Sequence, residues 1–238
     1  VRIHPTDYKY WIFDLDHTLM NFDKSSQKAF YDTCDYFEIE NNRLHFFSSF
    51  TKNSFELWKQ LESGKITRDF LRLERFKKIF AEFKYVGDAN SWSKKYLEGL
   101  CSSADFYDGA IELVRYLKND GIQIGVITNG IGHVQKARLS GSFLLEASDF
   151  ILTSDPPFRP KPAPDLFLEA LSKWSPVSPE QVLMVGDNFQ CDVLGASSVG
   201  MGTCWLANEE KWNENPNVTD FYFSSIKKLY ETVTLKDH

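Results

Sequence analysis

Two carboxylates, Asp14 and Asp16, follow the apolar run YWIF at a spacing of two. Like charges that close repel, and a buried pair does not stay doubly ionised unless a cation joins it. A divalent ion that prefers oxygen ligands, Mg²⁺ above all, meets that need. A third acid, Asp187, closes another apolar run in VLMVGDNFQCD, with Asp192 five residues further on. Thr128-Asn129-Gly130 closes one more, bringing a hydroxyl, an amide and main-chain N–H groups suited to cradling an anion. Lys161 lies in the proline-rich loop DPPFRPKPAP, where an ammonium can balance a dianion beside a cluster of acids.

Each of these groups also has an ordinary reading. Asp is common at turns and helix caps, so Asp14, Asp16 and Asp192 could all serve there. Thr128-Asn129-Gly130 suits a helix start, and a lone Lys161 suits a solvated loop. The convergence of four polar clusters on the ends of apolar runs outweighs these readings for Asp14, Asp16 and Lys161, and leaves Asp192 evenly poised. His17, read as a strand residue between the two acids, faces away from both and is expected to pack rather than bind metal.

The elements that must position these groups are strands and helices in alternation. YKYWIFDLD, IQIGVIT (Ile122 to Thr128), FILTS (Phe150 to Ser154), VLMVGD (Val182 to Asp187) and GTCWL (Gly202 to Leu206) read as strands buried on both faces. Helical patterns separate the later ones. The expected fold is α/β, a Rossmann-like doubly wound parallel sheet whose ligands bind beyond the carboxyl ends of the strands. On strand alternation, Asp14 and Asp16 share one side, toward that crevice.

Residues 21–102 show no strand pattern. Ile66, Phe70, Leu73, Phe80 and Phe83 recur at helical spacing, as do Phe47, Phe50, Leu57, Trp58 and Leu61. An insert this long is expected to be an α-helical cap domain over the mouth of the site, with the core formed by 1–20 and 103–238. The aromatic stripe of Phe46, Phe47, Phe50, Phe55 and Trp58 reads as helix core. The basic run from Lys65 to Lys84 reads as a solvated face.

Composition limits the partners. A net charge of −6 disfavours a phosphate-backbone ligand, so no nucleic acid is expected. No apolar run approaches the ~18–20 residues of a membrane span. The start, VRIHPTDYKY, has no apolar core of a secretory signal, and the four cysteines form no CxxC pair. A reduced, cytoplasmic setting is the expected one.

In order, Asp14-x-Asp16-x-Thr18, Thr128-Asn129, Lys161-Pro162 and Gly186-Asp187-x4-Asp192 resemble the four motifs of the haloacid dehalogenase-like hydrolases. The resemblance spans nearly the whole chain outside the insert, and the insert's position resembles that of the helical-cap subfamily. It implies Asp14 as nucleophile, forming an aspartyl-phosphate, and Asp16 as general acid and base. It also implies Thr128 and Asn129 on the phosphoryl oxygens, Lys161 offsetting charge on the nucleophile and the phosphate, Mg²⁺ held by Asp14, Asp187 and the main-chain carbonyl of Asp16, and Asp192 as an indirect or water-mediated ligand. Thr18 would bond within the turn after the first strand. Dehalogenases of this superfamily lack the second acid, so Asp16 points to phosphate ester hydrolysis. VLMVGDNFQCDVLGASSVGMGTCWL and KPAPDLF resemble the branch of pyrimidine 5′-nucleotidases and N-acylneuraminate-9-phosphatases. The expected partner is a small phosphorylated metabolite, a nucleoside 5′-monophosphate. The alternatives are a sugar phosphate, such as a 9-phosphorylated nonulosonic acid, and a catalytically silent binding protein on the same fold.

Overall fold

The run YWIF forms β1 (Tyr10–Phe13), the centre of a parallel sheet. It lies between β2 (Gln123–Thr128) and β4 (Val182–Gly186). Outside these are β3 (Phe150–Thr153) on one side, and β5 (Gly202–Leu206) and β6 (Phe221–Phe223) on the other. The order is β3-β2-β1-β4-β5-β6. The chain therefore builds outward from β1 in one direction and then resumes beside it with β4. That reversal makes β1 and β4 the switch point at which such sheets open a crevice. The structure, a computed structural model, describes residues 8–214 and 219–235. Residues 1–7, read above for a secretory signal, lie outside them.

Burial on both faces explains why β1 lacks polar alternation. Trp11 and Phe13 enter a core shared with Leu113, Val114 and Leu117 of α5 (Ala110–Asn119) and Leu229 of α11 (Ile226–Thr234). Ile12 enters the opposite core, with Leu166 and Phe167 of α8 (Asp165–Lys173). Leu139 of α6 (Gly132–Leu139) and Leu144 and Ala147 of α7 (Phe143–Ala147) join the Trp11 core, and α10 (Glu209–Glu214) follows β5. The strands are shorter than their apolar runs. β1 stops at Phe13, so both acids fall beyond it. The strand FYF was not read from sequence, because three half-buried residues carry too little pattern; helix α11, with Ile226, Leu229 and Val233 buried at helical spacing, was not read either.

By its contacts the chain forms two compact units, residues 1–22 with 105–238, and residues 23–104. The helical unit consists of α1 (Phe22–Tyr36) from Asp23 onward, α2 (Arg43–Glu62), α3 (Arg68–Phe83) and α4 (Ala89–Cys101). Thr67 and Asp88 cap α3 and α4, accepting from Phe70 N and from the N–H groups of Asn90 and Ser91. The interior is aromatic. Phe50 lies 4.9 Å from both Phe30 and Tyr96, and Phe76 lies 5.3 Å from Phe50.

Two expectations here are corrected. The buried face of α3 is Leu71, Arg75, Phe76, Ile79 and Phe80; Phe70 is 47% exposed. Aromatics on both sides of α3 made its apolar face ambiguous. Arg75, taken for part of a solvated face, is buried. Its guanidinium lies 4.7 Å over Tyr96 and 5.1 Å over Phe50. Burial lowers its pKa, with the Arg72 charge adding to the effect.

Phe76→Ala removes a fully buried ring from this interior and is expected to cost about 3–5 kcal/mol. Urea unfolding followed by tryptophan fluorescence measures it. Among the described residues no helix is long and apolar enough to cross a membrane. The four cysteines are free thiols.

Candidate active site

Asp14 extends the β1 ladder by one bond, its N–H donating to Val185 O at 2.9 Å. The chain then turns tightly. Asp16 leaves the strand, His17 takes a left-handed φ of 65°, and its N–H reaches Met20 O at 2.8 Å. The strand alternation used to orient Asp16 and His17 therefore ends at Phe13. The His17 ring meets Phe22 edge-on at 5.6 Å. The Thr18 hydroxyl donates to Asp187 Oδ1 at 3.3 Å, just past the end of β4.

Lys161 lies in the loop between β3 and α8 and is 1% exposed. Its ammonium donates to Asp14 Oδ1 at 2.7 Å, Asp192 Oδ1 at 2.6 Å and Ile127 O at 3.1 Å. All three of its donors are thus engaged. The ammonium balances two carboxylates, one of them the expected nucleophile Asp14. Asn129 is tied to the same loop. Its side-chain Oδ1 accepts from Lys161 N at 2.7 Å and its Nδ2 donates to Lys161 O at 2.9 Å. The amide fixes the lysine loop. Thr128, the last residue of β2, accepts from Gly130 N at 3.0 Å, which leaves its own hydroxyl proton to donate.

Asp192 stands in the wide helical turns Phe189–Leu194 that lead into α9 (Gly195–Ser197). It is buried, with Lys161 on Oδ1 and Asn188 N on Oδ2 at 3.0 Å. Asp14, Asp187 and Asp192 each bring an oxygen within 4.8 Å of the others. Three carboxylates around one ammonium leave excess negative charge in a buried place. Burial pushes Asp14 up to about 7, opposed by Lys161 and reinforced by Asp192. Burial also pushes Asp187 well above the usual carboxylate range, with Asp14 and Asp192 adding to it. Burial works against the Lys161 charge, but Asp14 and Asp192 overcome it and hold its pKa above its ordinary value. An all-oxygen donor set with surplus negative charge fits a hard divalent cation such as Mg²⁺.

Gly186, the last residue of β4, has a steric reason to be glycine. A Cβ there would lie 2.3 Å from Asp192 Oδ2. Gly186→Ala is expected to displace the Asp192 carboxylate and to cost about 1–3 kcal/mol, measurable by urea denaturation.

Two residues at the site were missed by sequence reading. Gln135 Nε2 donates to Asp16 Oδ2 at 2.6 Å. Arg138 Nη1 donates to Asp16 Oδ1 at 2.5 Å and to Gln135 Oε1 at 2.9 Å. Both lie on α6 and both are buried. The available signal was two polar residues at a spacing of three on the same helix as Val134 and Leu139, and that pattern does not by itself separate a buried polar pair from a solvated one.

Relatives with this architecture are known. The pyrimidine 5′-nucleotidase YjjG of Escherichia coli is 30% identical over 92% of this chain and 95% of its own. The pyrimidine 5′-nucleotidase PynA of Streptococcus pneumoniae is 29% identical over 83% of each chain. The magnesium-bound structure of the HAD-hydrolase YfnB from Bacillus subtilis superposes with a TM-score of 0.84 at 25% identity. It covers 96% of this chain and 99% of YfnB. The family profile of the haloacid dehalogenase-like hydrolases matches residues 11–206, a span that holds all four polar clusters, and the chain belongs to that family.

Proposed function

We propose that the chain is a Mg²⁺-dependent phosphatase that hydrolyses a small phosphate monoester, a nucleoside 5′-monophosphate, through a phosphorylated Asp14. The observation that carries this reading is the buried array of Asp14, Lys161 and Asp192 at the sheet's switch point. Lys161 occupies Oδ1 of Asp14, so Oδ2 is the attacking oxygen. It bonds to phosphorus as the ester oxygen leaves, and Asp16 gives that oxygen a proton. Water then attacks phosphorus, returns a proton to Asp16 and releases Asp14. Thr128 donates to a phosphoryl oxygen, and Asn129 acts by holding the Lys161 loop. Asp14, Asp187 and the main-chain carbonyl of Asp16 would hold Mg²⁺, with the nearby Asp192 as an indirect, water-mediated ligand. When bound, the ion neutralises phosphoryl charge.

The nucleotide assignment is supported by two relatives named pyrimidine 5′-nucleotidases that align over most of the chain. We place substrate choice in the helical unit, which the chain inserts directly after the turn bearing Asp16. A panel of nucleoside monophosphates and sugar phosphates, with kcat/KM measured in Mg²⁺ and in EDTA, tests both parts. Nucleotides are expected to lead by at least about tenfold, with turnover lost in EDTA. A lead for sugar phosphates would overturn the substrate assignment alone; full turnover in EDTA would overturn the metal requirement.

A further inference from the structure

We propose that Gln135 and Arg138 are positioning residues for Asp16, holding its carboxylate in the orientation from which it transfers protons. The inference rests on the reading of Asp16 as the proton-transfer group and adds the parts that aim it.

The three side chains close a ring of hydrogen bonds. Each oxygen of Asp16 takes a donor from a different residue, Oδ2 from Gln135 and Oδ1 from Arg138. Arg138 also donates to Gln135 Oε1, so each supporting residue fixes the other. A carboxylate gripped at both oxygens cannot rotate without breaking two bonds. Each oxygen has a second lone pair, so the grip leaves a place for the proton that Asp16 gives and receives.

Burial divides the work. The Arg138 side chain is 1% exposed and that of Asp16 is 20% exposed. The supports sit in the interior while the acid meets solvent. Arg138 is steadied further by Phe22, its guanidinium carbon 5.7 Å from the ring centre. The neighbouring backbone is cut to fit. A Cβ on Gly130 would lie 2.0 Å from Gln135 Nε2, so glycine after Thr128-Asn129 lets the Gln135 amide lie across the chain and reach Asp16. A surface ion pair kept only for stability needs neither the buried partner nor this clearance.

The proton balance sets the test. Breaking the ester bond to an alkyl alcohol puts negative charge on a poor leaving oxygen, which needs the Asp16 proton as the Asp14–phosphorus bond forms. Dinitrophenolate leaves as a stable anion and needs none. Single-turnover release is therefore measured on the full-length, Mg²⁺-loaded protein with an alkyl phosphate and with dinitrophenyl phosphate. Gln135→Leu and Arg138→Met are expected to slow alcohol release by about 10- to 100-fold with KM nearly unchanged. Dinitrophenolate release is expected to stay within about twofold, and Asp16→Asn to give the same split more strongly. Thermal melts identify any variant that fails to fold, and Gln135→Leu, which removes no charge, carries the test if Arg138→Met does. Equal slowing of both substrates, or of neither, beside a split in Asp16→Asn would overturn the positioning role and leave that of Asp16 standing. No split in Asp16→Asn would overturn the reading of Asp16, and the positioning role with it.

Discussion

Lys161→Met is expected to lower kcat by about 10³-fold and to destabilise the protein by about 3–5 kcal/mol. The two losses have one origin. The ammonium is buried, and its three donors go to Asp14, Asp192 and Ile127 O. A methionine of similar volume fills the space but supplies no charge. Asp14 and Asp192 then face each other in a buried place without a cation. Leaving buried charges unpaired is what makes removal of one partner so costly, even where the intact pair contributes little net stability. Steady-state kinetics with urea unfolding on the same preparation measures both. Added Mg²⁺ is expected to recover part of the stability, since it supplies positive charge to Asp14 and Asp187, and little of the rate.

Asp14→Asn is expected to separate activity from stability in opposite directions. Turnover falls by at least about 10⁴-fold, because an amide cannot form the phosphorylated intermediate. Stability behaves differently. Burial raises Asp14 from its ordinary value of 3.8 to about 7. Between those limits the folded protein keeps a proton that the unfolded chain gives up. The folded state binds more protons, so stability falls as pH rises through that window. Raised pKa values at Asp14 and Asp187 both act in this sense. The neutral amide of Asp14→Asn resembles the protonated acid and removes the Asp14 share of the fall. In EDTA, the variant is therefore expected to melt above wild type once the pH passes about 7, and the gap to close on acidification. Mg²⁺ is expected to narrow the gap by stabilising wild type. Melting curves across pH, with and without the ion, read out each arm.

The sheet and the acids were legible from sequence for the same reason. A strand buried on both faces has no polar residues of its own, so carboxylates at its end stand out, as Asp14 and Asp187 do. What the side chains of Asn129, Gln135, Arg138 and Arg75 do was not legible. Each depends on which atoms of distant residues meet. The bonds that tie the Asn129 amide to Lys161 are seen only in the fold, and Arg75 reads as solvated until its neighbours are seen to be rings. Thr18 shows the same limit, since its partner Asp187 is distant in sequence, at the end of the neighbouring strand β4. Spacing reveals which residue types are available, while hydrogen-bond partners are settled only by packing.

The central position of β1 has a consequence for how the chain is made. Tyr10 pairs with Gln123 and with Val182, so of the six strands of the sheet the earliest in sequence waits longest for its partners. The helical unit, complete by residue 104, is fully synthesised before any of those partners. During that interval YWIF is an unpaired apolar strand with open edges, the kind of segment that recruits other chains. The biogenesis of this protein therefore turns on shielding four residues until the second half of the chain arrives.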